Sequence, residues 1–282
     1  MSDLKVLGID FTSSPCRRKP LTCLYCTFED GVLEAGDLEE WASFDLLEPA
    51  LQTPGPWIAG IDFPFGQSRK FIENIGWPGN WADYATLAGS LGRAEFCATL
   101  KNYSAARPFG DKEHRRKTDI AASSISPQKL HGVPVGLMFF EGARRLVEAG
   151  VTIPGLRQGD PERIVVEAYP GALARQLISR TSYKNDSRGK QTQSQFEMRH
   201  RLLALILDGR LERSHAVTVK APRSLADDPT GDQLDALFCA IQAAWAWTLR
   251  SERYGAPKSL DPLEGWIADP SLRREPVGLV PA

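Results

Sequence analysis

The tetrapeptide Gly-Ile-Asp-Phe occurs twice in this chain, as Gly8–Phe11 and again as Gly60–Phe63. An apolar run precedes each copy, Leu4-Lys5-Val6-Leu7 in the first case and Trp57-Ile58-Ala59 in the second. Each copy therefore reads as the end of a buried strand. Asp is depleted in strands, and a buried carboxylate without a partner is costly. Two acids set between Ile and Phe at strand ends point to something that offsets both charges, and a shared cation is the simplest candidate.

The segments around these copies predict an α/β chain. Strand 1 covers roughly 4–11, and two more strand-like runs, 21–28 and 32–35, follow across Glu29-Asp30-Gly31, where Asp-Gly signals a hairpin. Residues 43–52 predict a short helix opened by a Ser or Asp cap, which Pro54-Gly55-Pro56 stops before the second tetrapeptide. Residues 66–160 are less regular, with one clear helix at 139–149, and predict an insertion after strand 4 that serves as a lid or substrate platform. Arg163–Pro170 predicts a further buried strand with Glu167 at its end, and Pro170 opens a helix through Ile178. Gln193–Leu207 has Phe196, Leu202, Leu203 and Leu207 at helical spacing, and Ala216–Val219 reads as a short strand.

The last helix is the clearest. Thr230 and Gln233 have the spacing of a capping box, and Asp232 and Asp235 fall in the first turns, three residues apart and on one side. The rest of that helix is small or apolar, as suits packing on a sheet. Residues 1–254 would then form one domain, with 255–282 as a C-terminal tail.

Composition narrows the function classes. The net charge of −1 over 282 residues does not advertise a polyanion partner. Local clusters at Lys112–Lys117 and between Arg175 and Arg201 are basic, but each alone reads as a solvated face. Five cysteines, an odd number, make no disulfide framework. Cys23-Leu-Tyr-Cys26 lacks a second Cys/His pair at zinc spacing and fits a strand instead. Met1–Lys5 has no charged-then-apolar leader, and Ala236–Trp247 is too short to cross a bilayer. A cytoplasmic protein with no membrane partner is expected.

The chemistry lies in the acids. Asp10, Asp62, Glu167 and the Asp232/Asp235 pair all stand at the ends of core elements. If the strands bearing Asp10, Asp62 and Glu167 are parallel neighbours, their acids converge at one sheet edge, and the last helix adds Asp235 and Asp232. Carboxylates without His or Cys make a hard-oxygen site suited to Mg²⁺ or Mn²⁺. Two such ions roughly 4 Å apart would activate a water and stabilise the leaving oxygen in phosphodiester cleavage.

Gly8-Ile-Asp10, Asp62 at a strand end, Glu167-Ala-Tyr-Pro170, Tyr183-Lys184 and Asp232-Gln-Leu-Asp235-Ala-Leu together resemble a family of predicted nucleases known as domain of unknown function 429. That family is assigned to the ribonuclease H-like superfamily, near the RuvC-type resolvases. The resemblance implies a mixed five-stranded sheet in the order 3-2-1-4-5, strand 2 antiparallel, flanked by helices. It also implies Asp10 bridging both ions, Asp62 and Asp235 as the other principal ligands, and Glu167 as an additional ligand or base. Arg115, Arg116 and Lys184 would contact phosphates of a DNA or RNA substrate, and a homodimer of the resolvase kind is the implied candidate assembly. The long insertion and the Phe11-Thr-Ser-Ser14 sequence after Asp10 depart from compact resolvases. Two other readings compete: an ATP-dependent phosphotransferase or ATPase on a related sheet, for which no second phosphate loop is found, and a non-catalytic nucleic-acid-binding protein.

Overall fold

The computed structural model describes residues 3–273. Strands β1 (Leu4–Asp10), β2 (Leu21–Glu29) and β3 (Val32–Trp41) come first, followed by helix α1 (Leu47–Gln52) and strand β4 (Trp57–Ile61). Helices α2 (Arg69–Ile75), α3 (Trp81–Ser90), α4 (Gly92–Ala105), α5 (Lys117–Ala121) and α6 (Val135–Ala149) then precede β5 (Val151–Thr152) and β6 (Asp160–Glu167). The chain continues through α7 (Pro170–Ile178), α8 (Gln193–Leu207), α9 (Glu212–His215), β7 (Thr218–Lys220) and α10 (Asp232–Thr248).

Among the described residues the strands form one mixed seven-stranded sheet, ordered β5-β6-β4-β1-β2-β3-β7. It is larger than the five-stranded sheet expected, because β5 and β7 extend the two edges. β1 pairs antiparallel with β2 and parallel with β4, and β4 pairs parallel with β6. Side chains alternate between the two faces of such a sheet. Val6, Leu24, Ile58, Ile164 and Val166 pack under α7, α8 and α10 on one face. Leu7, Ile9, Cys23, Ala59, Ile61 and Val165 pack against α1, α3 and α6 on the other.

Helix α10 lies across β1, and glycines set how closely. A methyl group at Gly8 would sit 1.9 Å from the Ala236 carbonyl oxygen, and one at Gly60 would sit 2.2 Å from that of Cys239. Both glycines exist for close approach, with no unusual backbone angle involved. The small residues Ala236, Cys239, Ala240 and Ala243 supply the helix side of that contact, all fully buried. On the opposite face the two Phe residues of the repeated tetrapeptide, Phe11 and Phe63, pack as a tilted pair with ring centroids 4.7 Å apart. A methyl at Gly142 would meet the Phe63 ring at 2.4 Å, which brings α6 down on that pair.

Several expectations require correction. The region 66–160 is less a lid than a layer of the core: Phe139, Ala143 and Leu146 of α6 join Ile9 and Ile61 in one cluster. The short helix begins at Leu47, and neither Ser43 nor Asp45 caps it. The capping box at Thr230 is absent. Gly231 is the N-cap in a left-handed conformation, while the Asp228 carboxylate accepts from Thr230 N and Gln233 N. Asp228 is better placed because its carboxylate satisfies both backbone donors at once. Of the expected tail, residues 255–273 run back into the fold; Ala268 N donates to Glu167 O at 2.8 Å, and the Tyr84 hydroxyl donates to Leu263 O. Residues 274–282 of that tail lie outside the described residues. No helix among the described residues is long and apolar enough to cross a membrane.

Candidate active site

Register decides which acids meet. β1 and β4 pair with Gly8 opposite Gly60 and Ile9 opposite Ile61, and Asp62 N donates to Ile9 O at 3.0 Å. The two tetrapeptides thus lie side by side in phase, which sets Asp10 beside Asp62. By alternation both acids project on the face of Gly8 and Gly60, the face covered by α10. The Cys239 thiol on α10 marks their convergence: burial first, then the charges of Asp62, Asp10 and Asp235, hold its proton well above the usual thiol range.

α10 contributes the remaining acids from its first turn. Asp232 and Asp235 are buried there, and Asp235 N closes the first turn onto Gly231 O at 2.9 Å. Asp235 Oδ1 accepts from the Tyr183 hydroxyl at 2.6 Å, and its other oxygen accepts from the Lys184 ammonium. Lys184 Nζ also lies 3.9 Å from Asp232. Asp232 is held by a second ammonium, with Lys19 Nζ 2.9 Å from both of its oxygens and 3.0 Å from Asp186.

The protonation balance records this crowding. Burial is the main reason that the Asp10 carboxyl holds its proton well above the ordinary range. Lys184 opposes that effect, while Asp232, Asp235 and Asp62 add to it. Asp62 is pushed up to about 7, by burial and then by Asp235, with Lys184 pulling the other way. Asp235 is also raised by burial, although Lys184 and the Tyr183 hydroxyl lower it in part. Burial disfavours the charge on Lys184, yet Asp235 and Asp10 more than offset this and hold its proton well above the usual range. Like charges gathered out of water always produce such a balance.

The other residues predicted for the site lie elsewhere or are already engaged. Glu167 pairs in register with Ile61 and lines a small cavity together with Asp62, near enough for its charge to raise the Asp62 carboxyl further. There it accepts from Phe65 N at 2.9 Å and from both terminal nitrogens of Arg116, at 2.7 and 2.6 Å. Arg116 is 1 % exposed and divides its guanidinium between Glu167 and Asp119. It is therefore a core ion pair and not a surface contact for phosphate. Its neighbour Arg115 is exposed, and Lys184 is half-buried against the acids. Among the described residues no group of three or more His, Cys, Asp or Glu side chains is arranged to hold a metal ion. Lys19 and Lys184 take up oxygens of Asp232 and Asp235.

Lys19 and Gly231 escaped the sequence reading. Lys19 follows Arg17 and Arg18 in the turn between β1 and β2, where Cys16 and Lys19 bridge; a basic turn beside a strand ending in Asp was the available signal. Gly231 has φ +76, and a methyl there would meet Lys184 Cβ at 2.8 Å, so its bareness lets the lysine stem cross the start of α10. Residue type alone carries no sign of that contact. No curated protein and no solved structure matches the chain. Residues 8–258 match the model of the family described as Protein of unknown function (DUF429), and the chain belongs to that family.

Proposed function

We propose that this protein is a divalent-metal-dependent nuclease that hydrolyses nucleic-acid phosphodiester bonds at the Asp10, Asp62 and Asp235 cluster. The observation that carries the proposal is the in-phase pairing of the two tetrapeptides, which sets Asp10 beside Asp62 under the acidic first turn of α10. Within the sheet, the run β3-β2-β1-β4-β6 with β2 antiparallel supports a ribonuclease H-like reading of the fold.

The chemistry of the donor set suits a hard cation. It is all oxygen, and three of its carboxylates retain protons more tightly than usual, chiefly because they are buried and in part because other carboxylates lie near. Asp10, Asp62 and Asp235 would hold Mg²⁺ or Mn²⁺, in one or two ions. Asp232 and Glu167 are left out, with both oxygens of each held by Lys19 or Arg116; Asp235 would have to release Lys184 to reach an ion. The chemistry supplied by such ions is activation of a water and stabilisation of the leaving oxygen. The chain's own residues orient the site: Tyr183 fixes one oxygen of Asp235, and Lys184 brings a positive charge to the place where a phosphate would approach.

The test is cleavage of labelled DNA and RNA, single-stranded and duplex, by purified protein with Mn²⁺ or Mg²⁺. Wild type should cut at least one substrate, and Asp10→Asn and Asp62→Asn should not. Cutting by both variants at the wild-type rate, or no cutting of any substrate with either ion, would count against the proposal.

A further inference from the structure

A cavity of about 400 Å³ opens between α7 and the segment that follows it. Arg175, Arg180 and Lys184 line it, with the hydroxyls of Ser179, Thr181 and Ser182, and no carboxylate is among its described lining residues. Lys184 is already bonded to Asp235, but Arg175 and Arg180 meet no carboxylate here, and two guanidinium groups among hydroxyls suit an anion with several acceptor oxygens. Ser179 at φ +57 turns the chain out of α7, so that residues 180–184 come back toward the start of α10.

The walls of this cavity connect it to the acids on two sides. On one, Tyr183 and Lys184 bond directly to Asp235. On the other, Arg175 donates to the Tyr169 hydroxyl at 2.6 Å and to the Ala122 carbonyl, next to Ser123. Tyr169 in turn lines a small cavity of about 50 Å³ together with Asp62. The groove therefore borders the cluster between Asp62 and Asp235.

We propose that this groove binds the sugar-phosphate backbone of a single nucleic-acid strand and reads phosphate without reading base; the identity of the strand as substrate rests on the nuclease proposal above. Tyr183 is the one aromatic residue among its described lining, too few for a run of stacked bases, while the guanidinium and hydroxyl groups suit phosphate. Arg180 is exposed and carries the recognition most directly, because Arg175 is also tied to the protein.

The experiment is fluorescence anisotropy of labelled oligo-dT and oligo-dA in EDTA, with ATP and inorganic phosphate as separate competitors, on wild type, Arg180→Gln and Arg180→Lys. The two oligonucleotides should bind wild type alike. Arg180→Gln should lower affinity for both, and its salt dependence should be shallower by about one phosphate contact. That is a loss of about 3-fold less than wild type between roughly 50 and 200 mM salt. Arg180→Lys should recover part of the affinity. An unchanged affinity and salt slope in Arg180→Gln would overturn the groove, as would ATP or phosphate competing as well as the oligonucleotides. Metal-dependent cutting that persists while Arg180→Gln binds normally would remove the groove and leave the nuclease. Oligonucleotide binding that depends on Arg180, without cutting under either ion, would do the reverse.

Discussion

Replacing Asp62 by Asn should stabilise the protein at neutral and higher pH, and only there. The Asp62 carboxyl is raised from an ordinary 3.8 to about 7, by burial and by Asp235 ahead of its other neighbours. A carboxyl whose folded value is raised contributes stability in full below the unfolded value. That stability is lost as pH climbs through the folded value. The window for this loss runs from about pH 4 to about pH 7. A shift of roughly three units corresponds to about 4 kcal/mol at 1.36 kcal/mol per unit. Because Asp62 is half-buried and solvent screens part of the repulsion, about 2–4 kcal/mol is the expected range. For a chain of this length that is about 3–7 °C in melting temperature. Asn keeps the shape and removes the charge. Differential scanning fluorimetry at about pH 4 and about pH 8 should show the variant melting with wild type at the lower value and well above it at the higher. Mn²⁺ should raise the wild-type melting temperature more than that of the variant. A variant that melts at or below wild type at the higher pH would refute the electrostatic account of the cluster.

Four further substitutions, one of them a control, separate structure from function. Glu167→Gln leaves Arg116 without half of its buried charge partner and should cost about 3–5 kcal/mol, read as a lowered urea midpoint; a cost near zero would place Arg116 in contact with solvent. Gly8→Ala presses a methyl 1.9 Å from the Ala236 carbonyl oxygen, so α10 must move, at a cost of about 1–3 kcal/mol or more. Gly79→Ala, which meets nothing within 4 Å, is the control and should fall within about 0.5 kcal/mol of wild type. Lys184→Gln removes the ammonium from Asp235 and should tighten Mn²⁺ binding by about tenfold in calorimetry, equivalent to about 1.4 kcal/mol; weaker binding would mean that the lysine assists the ion instead of competing with it.

The strands that carry Asp10 and Asp62 were legible because their apolar runs are continuous and both faces of the sheet are covered, which is the circumstance in which hydrophobic pattern alone identifies a strand. The apolar length of α10 made that helix legible for the same reason. Glu167 does lie near Asp62, on one cavity, but its register opposite Ile61 brings its oxygens to Arg116 and Phe65 N, a pairing its place at a strand end did not announce. A one-residue difference in phase inverts the side of a strand, and sequence does not display phase between strands. Arg116 had the same difficulty, since its partner is 51 residues away. Lys19 reaches Asp232 across 213 residues, and no local pattern announces such a contact. Helix α6 read as part of an appendage because an amphipathic helix looks alike whether its apolar stripe meets the main sheet or a separate core.

Each position of the repeated tetrapeptide has its own physical task, and together these explain why the acids sit where they do. Glycine admits α10 to within contact of the strand backbone. Isoleucine fills the opposite face, and phenylalanine closes that face by pairing with its counterpart across the two strands. Aspartate is left on the glycine side, one step beyond the point where the helix lies closest. A helix that approached a bulkier strand would stand farther off, and Asp235 would lose its influence on Asp10 and Asp62. The close packing that orders the core thus also concentrates negative charge. Burial is the larger cause of the raised proton affinity that Asp10 and Asp62 keep with Lys184 nearby, and Glu167 shares it despite Arg116. A purely structural acid would be expected to resemble Glu167, paired with an arginine on two sides of its carboxylate. Among the described residues Asp10 and Asp62 differ from it in having no such partner, and on that difference within one sheet the nuclease proposal rests.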